Sequence, residues 1–228
     1  MNEEHDNADL RILVIQFVNV IDSFEITLFR GAVERSMKKA DILFRHNLEG
    51  NKYRHSYPLI QYKRIKNNAS IVGINQGVDN LAKFLSLCEF NYNIRHRLLQ
   101  MKLDKVDAYT FNVSVNDIYF DYTLQCWLPL NGNNYRQYLA LDSLQDKVKF
   151  LEKILSSNIS SFIRGLNVSS DRQVQLRIMD ITRTHDIVDN GDNVTSFDIE
   201  FRSNIFLPRY IGLGKKVSTG FGVITRIH

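Results

Sequence analysis

The chain has 228 residues, 44% of them hydrophobic, with a formal net charge of +4, enough for a sizeable core in one large or two small domains; two is our reading. No apolar run approaches the ~20 residues that cross a bilayer, and the polar start NEEHDNAD lacks the basic-then-apolar order of a signal peptide. Cys88 and Cys126 are the only cysteines, each inside an apolar stretch, which argues against a disulfide or zinc framework and for reduced core residues in a cytoplasmic protein.

Residues 1–9 read as a polar tail. Leu10 to Val18 is an apolar run broken by Gln16, as in a strand buried on both faces. Asp22 with Glu25 three residues on predicts a capped helix start, and Ile26, Phe29, Val33 and Met37 then recur at helical spacing. Leu59 to Ile65 and Ala69 to Ile74 predict two strands around a Lys66-Asn67-Asn68 turn. A helix is expected from about Gly77 to Phe90, with Val78, Leu81, Phe84, Leu85 and Cys88 on one side, and Arg97 to Leu103 is expected to supply a closing strand. This β-α-β-β-α-β order is that of a ferredoxin-like domain, placed at residues 10–105.

The second half, residues 106–228, opens on strict alternation: Tyr109, Phe111, Val113 and Val115 face one way. Ile118 to Leu128 alternates similarly, Pro129-Leu130-Asn131-Gly132 breaks the pattern, and Ser143 to Asp146 caps a long helix carrying Leu144, Val148, Leu151, Leu155, Ile159 and Phe162. Val174 to Ile178 and Phe197 to Ile205 predict strands on either side of a polar tip, DNGDN, and a last strand runs from about Phe221 to Ile227. The expected fold class is therefore α+β, with two tandem ferredoxin-like domains. In the second, the last helix is reduced to a loop around Pro208 to Lys216.

Charge is concentrated in one place. From Arg35 to Lys66 nine Lys or Arg stand against two acidic residues, so this stretch carries an excess of seven positive charges and the remainder of the chain is net negative. Interleaved with Phe44, Tyr53, Tyr57 and Tyr62, it offers phosphate neutralisation and stacking surfaces for nucleic acid; a solvated loop is the plainer alternative. Near the C-terminus, IGLGKKVSTGFGVI (Ile211 to Ile224) sets Gly212, Gly214, Gly220 and Gly222 as two Gly-x-Gly pairs around Lys215 and Lys216, with Arg209 just before. Backbone without Cβ atoms can approach a phosphate chain closely, and the lysines suit its charge. The segment is not a nucleotide P-loop, which needs a Gly where Arg209 stands and a Ser or Thr where Lys216 stands. Nor does it open a helix early in a βαβ unit, as a dinucleotide fingerprint must. A glycine-rich turn between two terminal strands remains the competing reading.

With two such halves, a basic segment and the terminal glycine loop, the chain resembles the CRISPR-associated endoribonucleases that cut precursor CRISPR RNA at its repeats, the sixth family of Cas proteins. FRHNLEGNKYRHSYPLIQYKRI (Phe44 to Ile65) is similar to the N-terminal signature of that family's "b" branch, and LPRYIGLGKKVSTGFGVI (Leu207 to Ile224) to its glycine-rich loop. The family pattern has His-Asn-His ahead of Tyr-Pro-Leu-Ile-Gln-Tyr-Lys; here His46 and Asn47 match, Leu48 replaces the second histidine, and His55 stands where an aromatic is more usual. The resemblance implies metal-independent, cofactor-free cleavage in which a ribose 2′-hydroxyl attacks the adjacent phosphate, leaving a 2′,3′-cyclic phosphate and a 5′-hydroxyl.

Such chemistry needs proton transfer near neutrality, for which histidine is suited. His46 is the first candidate and His55 fills the missing second role. Arg45 and Lys52 nearby favour a neutral imidazole, while Lys52 or Arg54 could stabilise the phosphorane. Tyr53 or Tyr57 could orient the ribose. His5, His96, His185 and His228 read as surface residues, His185 in a polar loop. No metal site is expected, because zinc needs three or four suitably spaced ligands. Partners implied are CRISPR repeat RNA and other Cas effector subunits, with self-association open and no membrane. A second reading, kept open by Leu48, is a non-catalytic guide-RNA-binding subunit gripping RNA through Arg45, Arg54, Arg209 and the loop.

Overall fold

A computed structural model of the chain describes residues 8–39, 57–94, 97–167, 172–189 and 192–227. They fall into two compact units. One comprises the described residues within 9–111 with 218–220, the other Ala8 and the described residues within 112–217 and 221–227.

In the first unit, β1 (Ala8–Val20) leads through a short 3-10 turn into α1 (Ile26–Lys39). The predicted start is realised by the Glu25 carboxylate, which accepts from the Asp22 N–H at 3.0 Å and so satisfies a donor the helix cannot. β2 (Ile60–Ile65) and β3 (Asn68–Ile74) form a hairpin whose turn residues Lys66 and Asn67 take positive φ, and α2 (Gln76–Leu87) follows. The strand order β2-β3-β1-β6, where β6 is Leu103–Trp127, is ferredoxin-like, with β1 and β3 antiparallel from Ile12 opposite Ile74 to Gln16 opposite Ser70. Alternation then sorts the side chains. Leu13, Ile15, Phe17, Tyr62, Ala69 and Ile71 meet Phe29, Val33, Leu81 and Phe84 of the helices in one buried core.

The closing strand differs from expectation. Arg97–Gln100 is β5, paired with β4 (Asn91–Ile94) in a separate hairpin, and closure falls to β6 (Leu103–Trp127). Tyr92 and Ile94 alternate with polar neighbours and are buried against the core, so this segment pairs locally and never reaches the main sheet. The expected helix to Phe90 ends at Leu87, where Cys88 turns extended.

β6 also merges the two strands expected at Tyr109–Val115 and Ile118–Leu128, with a register shift against β8 (Asp192–Phe206) between Val115 and Phe120 that absorbs the interruption at Asn116-Asp117. The second unit continues with α3 (Gly132–Leu139), α4 (Leu144–Gly165), β7 (Leu176–Asp189), β8 (Asp192–Phe206) and β9 (Val223–Arg226). α3 has no counterpart in the expected elements: Asn131, where the strand pattern breaks, is its N-cap, accepting from the N–H groups of Asn133 and Asn134 at 3.1 and 2.9 Å. Ser143 caps α4 as expected, and Leu151, Leu155, Ile159 and Phe162 are its buried stripe, while Leu144 at the capped end stays exposed. With β9 beside β6, the order β9-β6-β8-β7 repeats that of the first unit. Between β8 and β9 no helix forms; Leu207 to Gly222 is a loop, as the sequence predicts.

Candidate nucleic-acid interface

The glycine-rich loop starts where Tyr122 is fully buried. Its hydroxyl donates to the Ile205 carbonyl and accepts from the Leu207 N–H, each at 3.0 Å, and burial pushes its pKa up to about 12. The phenol thus fixes the point at which β8 ends. From there the backbone folds onto β9: Tyr210 N–H donates to Ile224, Leu213 N–H to Gly222 and Ile224 N–H to Ile211, at 2.8 to 3.0 Å. Gly212 pairs with Val223 in an isolated bridge, and Gly222 N–H donates to the Cys126 carbonyl at 3.0 Å.

Two glycines are demanded by close approach and backbone conformation. At Gly222, with φ +62°, a Cβ would collide with the Leu213 carbonyl oxygen. At Gly214, with φ +94°, it would stand 2.8 Å from the indole nitrogen of Trp127. That indole is fully buried and donates to Asn158 Oδ1 of α4 at 2.9 Å. The glycines therefore seat the loop against its own unit, and substituting them tests folding before it tests any ligand.

The two lysines part company. Lys215 donates from Nζ to the Leu130 carbonyl at 3.1 Å, and partial burial lowers its pKa, so its ammonium is engaged by the protein. Both side chains are exposed, and Lys216 takes φ +54°. Arg209 is half-buried. The loop tip, Ser218 to Gly220, belongs to the first unit. There the Ser218 carbonyl accepts from Tyr62 N–H at 3.0 Å, Thr219 makes a parallel bridge with Tyr62, and Arg30 Nη1 donates to Ser218 Oγ at 3.0 Å. Sequence reasoning did not single out Arg30, Trp127 or Ser218. The available signal was the Ser-Thr spacer between glycines and the Arg30–Glu34 spacing on one helix face.

The basic stretch is less uniform than its composition implies. Arg35, Lys38 and Lys66 are exposed, and Arg64 donates from Nε to the Ile21 carbonyl at 2.8 Å. Lys63 is fully buried on the sheet face away from the helix core, opposite Ser70, and burial pushes its ammonium down to about 7. It is thus a core group and not a surface cation. Tyr62 is likewise core, not a stacking surface, and burial raises its pKa. Arg45, His46, Lys52, Tyr53, Arg54 and His55 lie outside the described residues. His185, expected in a polar loop, lies in β7 with Nε2 3.5 Å from Asp198 Oδ2. Cys88 and Cys126, expected in the core, are half-buried.

Two ferredoxin-like units in tandem, the second with its last helix replaced by a glycine loop, define a fold shared with CRISPR RNA-processing proteins. A crystal structure of Cas6b superposes with a TM-score of 0.79 at 24% identity, covering 96% of this chain and all of the other. A second, described as the CRISPR RNA processing endoribonuclease Cas6b, gives 0.72 at 23%, again over 96% of this chain and all of its own. At these identities the likeness is one of fold. The family models settle membership: the Cas6b N-terminal domain matches residues 8–112 and the Cas6b C-terminal domain residues 114–227, so the chain belongs to the Cas6b family. An uncharacterized protein of Methanocaldococcus jannaschii is 32% identical over 123 residues, 54% of this chain and 82% of its own length.

Proposed function

We propose that the chain is an endoribonuclease that cuts precursor CRISPR RNA within its repeats, without a metal, by attack of the 2′-hydroxyl beside the scissile phosphate. The observation that carries this reading is the joint match of both Cas6b domains, in order, over nearly the whole chain. The products have a 2′,3′-cyclic phosphate and a 5′-hydroxyl. No bond to an external nucleophile forms, so the protein must take a proton from the attacking oxygen, give one to the leaving oxygen and offset the charge between them.

His46 transfers protons and His55 supplies the second histidine that Leu48 displaces from the family spacing. Lys52 and Arg54 stabilise the phosphorane, and Tyr53 orients the ribose. Arg45, Arg209 and Lys216 contribute positive charge to the RNA backbone, while Gly212, Gly214, Gly220 and Gly222, with Lys215, shape the loop that presents it. In this division residues 10–105 carry the chemistry and 106–228 the grip, in the cytoplasm with repeat RNA and other Cas subunits as partners. Leu48 is what favours the second reading, a guide-RNA-binding subunit without activity.

Purified protein incubated with a repeat-containing transcript in excess chelator separates the two. The nuclease gives one discrete cut whose upstream fragment resists phosphatase until acid opens the cyclic phosphate. Binding without a cut leaves the non-catalytic reading.

A further inference from the structure

On α1, Arg30 holds a conformation fixed at two of its three nitrogens. Nε donates to Glu34 Oε1 at 2.7 Å and Nη1 donates to Ser218 Oγ at 3.0 Å. Nη2 makes no hydrogen bond among the described residues. The side chains of Arg30 and Glu34 are 29% and 28% exposed, so the group is neither buried nor loose. Ser218 is held independently: its carbonyl accepts from Tyr62 N–H, its neighbour Thr219 bridges Tyr62, and a Cβ on Gly220 would collide with Ile26. All these residues lie in the first unit. Because Ser218 Oγ accepts from the guanidinium, its own proton remains to be donated.

We propose that Arg30 and Ser218 form a phosphate-contacting subsite, in which Arg30 Nη2 and the Ser218 hydroxyl donate to one non-bridging oxygen pair of the RNA backbone. The proposal rests on the chain being an RNA-processing protein, and it adds residues that neither the basic stretch nor the lysine pair contains. Fixed donors suit the task, since a guanidinium already held at Nε and Nη1 loses little rotamer freedom when a phosphate arrives. The Glu34 carboxylate sets the strength of the site. It orients the fork but offsets part of its charge, so the subsite attracts a phosphate less than an unpaired arginine would.

The experiment is fluorescence anisotropy with a 2′-O-methyl RNA of the repeat sequence, which keeps the phosphates but has no attacking hydroxyl, over a series of salt concentrations. Arg30→Ala is expected to weaken binding about tenfold and to lower the slope of log affinity against log salt by about 0.7, the value for one phosphate contact on a single strand. Arg30→Lys is expected to keep the slope. Glu34→Gln, which retains an acceptor beside Nε, is expected to tighten binding at least about twofold as the offsetting charge goes. A wild-type slope in Arg30→Ala, whatever its affinity, overturns the subsite and leaves Arg30 as a brace for the loop; so does weaker binding by Glu34→Gln, which also decides the matter if Arg30→Ala fails to fold. Loss of binding by the unsubstituted protein would instead defeat the RNA-processing reading itself.

Discussion

The two units solve one packing problem in two ways. In the first, the connection after β3 is α2, which buries Leu81 and Phe84 on the sheet. In the second, the corresponding connection after β8 is the loop from Leu207 to Gly222, which buries Leu207, Ile211, Leu213 and Val217 without a helix and satisfies its backbone against β9 and Cys126. A helix spends its main-chain groups on itself and presents only side chains. A loop seated by glycines can hold its apolar residues inward and still leave lysine side chains exposed, and that suits a ligand with a phosphate chain.

If the units divide the work in this way, chemistry and grip can be broken separately. His46→Ala is expected to lower the single-turnover cleavage rate by roughly 10²–10⁴-fold, the usual contribution of acid–base catalysis, with affinity for repeat RNA nearly intact. His55→Ala is expected to be comparably severe, because Leu48 leaves it as the second histidine; a rate near wild type would remove it from the site. Should both variants cleave normally, the histidine mechanism is wrong, and Lys52 with Tyr53 is the next pair to test.

Substitution on the two connections sharpens the comparison. Leu81→Ala in α2 is expected to cost about 2–5 kcal/mol through the cavity it leaves. Gly222→Ala is expected to cost at least about 2 kcal/mol, since the new Cβ strains a left-handed residue and strikes the Leu213 carbonyl. Chemical denaturation reads both. A loop variant as stable as wild type would mean that the segment is only draped over its unit.

Lys63 gives a pH-dependent effect. Its folded pKa is lowered to about 7 from an ordinary 10.5. Between those values the unfolded chain binds the proton and the folded chain does not, so this group makes stability rise with pH across that window, by at most about 1.4 kcal/mol per unit. Lys63→Met is expected to flatten the rise and to raise stability at and below pH 7. An unchanged slope would show that the ammonium is not desolvated.

Much of this was legible in the sequence because short-range physics fixed it. Alternation in Tyr109 to Val115 and the 3.6-residue stripe of α4 are local signals, and both tandem folds followed from their order. The failures were of pairing. Nothing local says that Arg97–Gln100 prefers β4 to β1, or that the interruption at Asn116-Asp117 is a bulge inside one long strand. The loop's glycines were visible, but their reason was not: the Leu213 carbonyl, the Trp127 indole and Ile26 are brought to them only by the fold. For the same reason composition counted Lys63 among the surface cations, whereas it is buried, and gave no sign that the exposed Lys215 is bonded to Leu130.

The loop as an RNA grip is tested most directly by reversing its two lysines one at a time and measuring the salt dependence of repeat-RNA binding. Lys216→Glu is expected to weaken binding and to reduce the salt slope by at least about 0.7, one phosphate contact, with the thermal midpoint unchanged. Lys215→Glu is expected to lower the thermal midpoint, because it places a carboxylate against the Leu130 carbonyl. A wild-type salt slope and affinity in Lys216→Glu would contradict the account and return the segment to a turn between two strands.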